Sequence, residues 1–184
     1  MEINPFGLNG AWIIKSPVHD DHRGYFREIY KKSQSGIAEI DNFVPKQCNF
    51  SSSSKNVLRG IHYSLAQEGQ AKWITCTSGE ILDVIVDLRV KSETFGHWKA
   101  QKLEADSGES IFISSGFGHS FLSMKENTTV TYLLSTIYSP EDEMSINPFD
   151  PTISIEWPCA TPILSEKDLH APSLLERINS GKLP

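Results

Sequence analysis

Short runs in which apolar and polar residues alternate recur through this chain, separated by turn residues. AWIIK (11–15), QCNFSSSS (47–54), VLRGIHYS (57–64), AKWITCT (71–77), EILDVIVDLR (80–89), TFGHWKAQKL (94–103), SIFIS (110–114), SSGFGHSF (114–121) and TVTYLLSTIY (129–138) all read this way. Their two-residue period and their β-branched or aromatic content are those of strands. DDHRGYFREIY (20–30) adds a turn at Asp21–Gly24 and a strand with Tyr25, Arg27 and Ile29 on one face. NPFDPTISIEWP (147–158) is bounded by prolines, with a short strand expected inside. Only PSLLERIN (172–179) reads as a helix, with Gly181 as its stop. About ten short strands at regular spacing predict an all-β sandwich or barrel with a short C-terminal helical segment. No repeat and no low-complexity linker divides the chain, so residues 1–184 read as one domain.

The strand faces carry the first functional signal. In 47–54, alternation puts Gln47, Asn49, Ser51 and Ser53 on one face, with Cys48 and Phe50 on the other. The next strand carries Arg59, His62 and Tyr63. A polar row beside an Arg/His pair suggests the wall of a cavity. In 71–77, Lys72, Ile74 and Cys76 share a face. In 80–89, Leu82, Val84, Val86 and Leu88 form one face, and Asp83, Asp87 and Arg89 stand on the other. Val130, Tyr132, Leu134, Thr136 and Tyr138 share a face in 129–138.

Composition excludes several classes of function. The 184 residues are 39% hydrophobic and 22% charged, ordinary values for a soluble globule. No apolar run is long enough to span a membrane. The opening MEINPFGLNG lacks the basic-then-apolar order of a secretory signal, so a cytoplasmic protein is expected. A net charge of −6 argues against a nucleic-acid binder, which needs a basic face. It leaves room for a small phosphorylated ligand held by a few convergent cations. Cys48, Cys76 and Cys159 form no CxxC pair and are expected as reduced thiols.

Of six histidines, His19, His22, His97 and His170 lie in polar surroundings and are expected to be solvated. His62 and His119 sit in or beside apolar strands. A metal-binding barrel would commonly offer an HxH pair, but the same-face neighbours of His62 are Gly60 and Ser64. No metal site is therefore expected. As a general base, His62 needs an orienting carboxylate, and Asp83, Asp87, Asp150 and Asp168 are the candidates. Spacing does not choose among them. Tyr132 or Tyr138 could supply a proton from the other side, and Arg23, Arg59, Lys72 and Lys167 are the cations near turns or strand ends.

The order of these pieces resembles the dTDP-4-dehydrorhamnose 3,5-epimerase family of nucleotide-sugar epimerases. The resemblance runs through HDDHRGYFRE (19–28), QCNFSSS (47–53), VLRGIHY (57–63), QAKW (70–73) and GEILDVIVDLRVKSETFG (79–96). It continues through GFGHSF (116–121), TVTYL (129–133), Tyr138, Glu143, DPTISIEWP (150–158) and SEKD (165–168). It implies a cupin-like jelly roll, a homodimer, a nucleotide-sugar substrate and no metal or other cofactor. It also implies roles. His62 is the base beside the sugar's C4 ketone, Asp168 its orienting carboxylate, Tyr132 the opposing acid and Lys72 the cation near the C4 oxygen. His119, Gln47, Asn49, Arg59, Glu143 and Lys167 match substrate contacts. Tyr138 packs on the nucleotide or sugar. Arg23 and Glu28 match positions that reach the nucleotide across the dimer. Where the family usually reads GHGF, this chain has Ser120 in place of the second glycine. Strict alternation puts Arg59 and His62 on opposite faces, so a bulge at Gly60 is expected if both serve one site.

Overall fold

The computed structural model describes residues 1–32 and 34–184. The strands in chain order are β1 (Glu2–Pro5), β2 (Ala11–Lys15), β3 (Val18–Asp21), β4 (Gly24–Arg27), β5 (Gln47–Ser53), β6 (Leu58–Ser64) and β7 (Lys72–Ser78). They continue with β8 (Glu80–Asp87), β9 (Trp98–Glu104), β10 (Glu109–Ile113), β11 (Phe117–Ser123), β12 (Thr128–Leu134) and β13 (Glu143–Ser145). Three short helices are α1 (Ala38–Asp41), α2 (Glu166–Leu169) and α3 (Leu174–Asn179).

The strands form an all-β jelly roll of two antiparallel sheets. One has the order β1-β2-β10-β7-β12-β5 and the other β13-β6-β11-β8-β9; β3 and β4 make a separate ribbon. Crossovers such as β2 to β10 and β5 to β12 put sequence-distant strands side by side, so loop closure is spread over the whole chain.

The core explains why β8 looks apolar on both faces. Its Ile81 and Ile85 point between the sheets, where they pack with Ile74, Cys76, Ile111, Phe121 and Val130. Its Val84 and Val86 point outward, but Ile146, Ile153, Trp157 and Leu174 from the C-terminal segment cover them. The far face of the six-stranded sheet is likewise covered: Ile40 and Phe43 of the α1 region lie on Ile14, Trp73 and Phe112. Burying strand residues on both faces is what a continuous apolar run in a strand requires.

Several boundaries differ from expectation. The strand expected to run to Tyr30 ends at Arg27, and Tyr30 instead packs edge-on against Trp73 and Phe43. No strand forms within 147–158. There the Asp150 carboxylate accepts hydrogen bonds from the backbone N–H groups of Thr152, Ile153 and Leu174, which fixes a turn and ties it to α3. The strands not read from the sequence are β1, β3 and β13, the last of them earlier in the chain than 147–158 and paired with β6. The strand beginning at Thr128 stops at Leu134, so Thr136 and Tyr138 lie beyond it. The helix near 172–179 is present and begins with a capping box between Ser173 and Glu176. The short α2 adds a helical turn not read from the sequence.

Candidate active site

A cavity of about 260 Å³ lies between the sheets. Sheet pairing puts its walls on different strands. Asn49 and Ser51 of β5, Lys72 of β7 and Tyr132 of β12 come from the six-stranded sheet. Arg59 and His62 of β6, His119 of β11 and Glu143 of β13 come from the five-stranded sheet. Tyr138 and Lys167 complete the lining. Asn49 and Ser51 of the polar row expected on β5 therefore do face a cavity, while Cys48 and Phe50 are exposed on the other side.

His62 and Asp168 meet although they are 106 residues apart. His62 Nε2 lies 2.6 Å from Asp168 Oδ1. The sequence places Asp168 by starting α2 at Ser165, whose Oγ accepts the Asp168 backbone N–H at 3.1 Å. Asp168 is 3% exposed. Burial pushes its carboxyl up, but contacts with His62, Ser165 and the Gly60 N–H outweigh burial and hold it below its ordinary value. A buried carboxylate on one ring nitrogen fixes the tautomer of His62 and leaves the other nitrogen free to take a proton.

The other carboxylates considered for His62 are engaged elsewhere. Asp83 Oδ1 lies 2.6 Å from His119 Nε2, making a second and more deeply buried His–Asp pair. Asp87 holds Arg89, Ser92 and Thr94. Asp150 serves the turn described above.

Lys72 is 5% exposed, and its Nζ donates to the His62 carbonyl at 3.3 Å. Burial lowers its pKa to about 8, partly offset by Glu143 and Asp83. Glu143 accepts from Gln70 Nε2 at 3.2 Å, and Gln70 also donates to Thr136 Oγ1 at 2.9 Å. Gln70 lines the cavity and was not singled out in the sequence. Its place two residues before Lys72, on the approach to β7, was the available signal.

Not every expected residue reaches the cavity. Gln47 is outside its lining. Its Nε2 donates to Asn49 Oδ1 at 2.7 Å and its Oε1 accepts the Tyr138 N–H at 2.7 Å, so it braces two residues that do line the space. Arg23 and Glu28 lie outside the cavity of this chain. Arg23 is exposed and paired with Asp21 in the turn of the β3–β4 ribbon, and Glu28 pairs with Lys31. Arg59 and His62 do share the cavity. The β6–β11 pairing passes from His119↔His62 to Phe121↔Arg59, three residues of β6 against two of β11. That is the expected bulge, and Gly60 sits in it with φ +112°. Among the described residues, no group of three or more His, Cys, Asp or Glu could hold a metal ion, and no helix is long and apolar enough to cross a membrane.

A family model described as dTDP-4-dehydrorhamnose 3,5-epimerase matches residues 5–176. The chain belongs to that family. Among curated relatives of these epimerases, a dTDP-4-dehydro-6-deoxyglucose 3-epimerase from a Streptomyces species is 38% identical, covering 99% of this chain and 93% of its own. A dTDP-4-dehydrorhamnose 3,5-epimerase from Mycolicibacterium smegmatis is 41% identical, covering 100% and 91%. Among solved epimerase structures, NovW superposes with a TM-score of 0.95 at 38% identity, covering 100% of this chain and 92% of its own. It is a 4-keto-6-deoxy sugar epimerase from the novobiocin cluster of Streptomyces spheroides.

Proposed function

We propose that this protein converts dTDP-4-dehydro-6-deoxy-D-glucose to dTDP-4-dehydro-L-rhamnose by inverting C3 and C5. One observation carries the reading: His62 and Tyr132 stand on opposite sheets across one cavity, with the buried Lys72 on β7, beside the Tyr132 strand, donating to the His62 carbonyl. Carbons 3 and 5 both flank the C4 ketone, so one carbonyl acidifies both C–H bonds. His62 takes a proton from one face, the electron pair passes to O4 as an enolate, and the Tyr132 hydroxyl returns a proton to the opposite face of the carbon. Asp168 stabilises the imidazolium formed in the first half. Lys72 faces the developing charge on O4, a fixed-cation effect of about 3 kcal/mol by comparison with oxyanion-hole donors. The ketone supplies the acidity, so the step calls for no cofactor.

Arg59 and Lys167 bind the diphosphate, which accounts for cations at the mouth of the cavity in an acidic protein. Asn49, His119 and Glu143 contact the sugar, and Tyr138, more than half exposed at the rim, stacks on the nucleotide. The protein acts as a cytoplasmic homodimer built from one jelly-roll domain per chain. Arg23 and Glu28 then reach the partner's nucleotide. The exposed Tyr25, Phe26 and Phe50 on the ribbon and β5 support that contact.

A second reading is inversion at C3 alone, favoured by the 38% identity to a 3-epimerase. Incubation with dTDP-4-keto-6-deoxyglucose in D2O separates the two. Deuterium at both C3 and C5 supports the double epimerase, and deuterium at C3 alone supports the second reading. Absence of label from both carbons contradicts each of them.

A further inference from the structure

We propose that Ser120 is a positioning residue whose hydroxyl holds the β6 bulge in the register that brings Arg59 to the same substrate as His62. In a regular strand, residues 59 and 62 point to opposite faces. Here the register of β6 against β11 shifts between the pairs His119↔His62 and Phe121↔Arg59, and the residue between those two positions on β11 is Ser120. Ser120 is 1% exposed. Its Oγ donates to the backbone carbonyl of Arg59 at 2.7 Å, a bond from the middle of the irregularity to the residue that starts it. The two chains also close tightly there. A Cβ on Gly60 would lie 2.8 Å from both Cα and Cβ of Ser120, so glycine on β6 is what lets the serine sit against the bulge.

The two arms of the bulge are held differently. On the His62 side, Asp168 grips the ring and also meets the Gly60 N–H. On the Arg59 side the guanidinium is exposed and, among the described residues, reaches only Ser53 Oγ at 3.1 Å and the Ser52 carbonyl at 3.2 Å. The Ser120 hydroxyl is the side-chain bond to the Arg59 main chain. Losing it should therefore move Arg59 more than His62, and weaken nucleotide binding more than proton transfer. This rests on the reading of Arg59 as a diphosphate contact.

The test is a double-mutant cycle on dTDP affinity, measured by calorimetry with the full-length protein alongside kcat and KM. Arg59→Ala should weaken dTDP binding about tenfold or more, as expected for a charge-assisted contact. Ser120→Ala should weaken it about fivefold and raise KM to match, the size of one lost hydrogen bond, with kcat within about twofold of the parent. In the Arg59→Ala background, Ser120→Ala should cost dTDP affinity nothing further. Ser120→Cys, which keeps the volume and weakens the donor, should repeat the loss and serves if the alanine variant folds poorly. Unchanged dTDP affinity in both Ser120 variants, an equal loss with and without Arg59, or a loss of kcat at constant KM would each overturn the proposal. If Arg59→Ala itself leaves dTDP affinity unchanged, the assignment of Arg59 to the diphosphate fails first, and the role of Ser120 fails with it.

Discussion

His62 and His119 are register partners across β6 and β11, and each places Nε2 2.6 Å from a buried aspartate. The two pairs differ in access. The His119 side chain is 8% exposed and that of His62 is 36% exposed. A base must reach a carbon-bound proton, so the open ring is the one suited to proton transfer, and the enclosed one to orienting what binds beside it. Their carboxylates also arrive differently. Asp83 comes from the adjacent strand β8, whereas Asp168 is delivered from α2 near the end of the chain.

Asp168→Asn keeps the shape but removes the charge that holds the His62 tautomer. We expect kcat to fall by about 100-fold or more with a small change in KM, the range of general acid–base contributions. The folded pKa of Asp168 is lowered, so its contribution to stability is present above the ordinary carboxylate value and is lost as pH falls through the folded one. The asparagine variant should therefore lose part of the acid-side fall in melting temperature. Thermal melts from pH 3 to 7 check this, and identical slopes for both proteins would contradict it.

Lys72 gives opposite signs for activity and stability. Its pKa is lowered to about 8 by burial, against the pull of Glu143 on β13 and Asp83 on β8. Below about pH 8 the ammonium is present to face the enolate oxygen. Above that, kcat/KM, which reports the free enzyme, should fall about tenfold per pH unit as the charge is lost. For the unliganded protein, the unfolded chain binds more protons between about 8 and its ordinary 10.5. The charged lysine therefore destabilises the fold below about 8, and this cost is relieved as pH rises through that window. Lys72→Met should be slow at every pH and should lack this alkaline gain in stability. A parent enzyme with flat kcat/KM from pH 7 to 10 would remove Lys72 from the charged role.

Arg23 stands outside the cavity of its own chain, so its proposed service to a partner can be tested by complementation. Arg23→Ala and His62→Ala homodimers should each have low activity. Mixed after partial unfolding and refolding, they should recover about one quarter of parent activity at a one-to-one ratio, because half the dimers carry one intact site of two. Activity that stays at the mean of the two separate variants would place Arg23 outside any shared site.

Much of this arrangement was legible in the sequence because strand period is a local signal. Alternation in 47–54 put Asn49 and Ser51 on a cavity wall, and the conflict between Arg59 and His62 pointed to a bulge at Gly60. Partners across the fold were less legible. Four aspartates could have served His62, and the structure assigns Asp83, Asp87 and Asp150 to His119, Arg89 and a backbone turn. Those pairings depend on which strands lie side by side, which spacing does not encode. The expected strand in 147–158 failed for a related reason. Its apolar Ile153 and Trp157 cover the outer face of β8 and β6 without pairing their backbones to it. For Gln70 the only local signal was its place two residues before Lys72, since its role comes from Glu143 and Thr136 meeting it from later in the chain.

The central claim is that the base and the acid act from opposite sheets. The most direct measurement compares isotope exchange with inversion in Tyr132→Phe. With dTDP-4-keto-6-deoxyglucose in D2O, Tyr132→Phe should still incorporate deuterium next to the ketone while inversion at C5 falls at least about 100-fold, and His62→Ala should lose exchange at both carbons. Inversion by Tyr132→Phe at the parent rate would contradict the account.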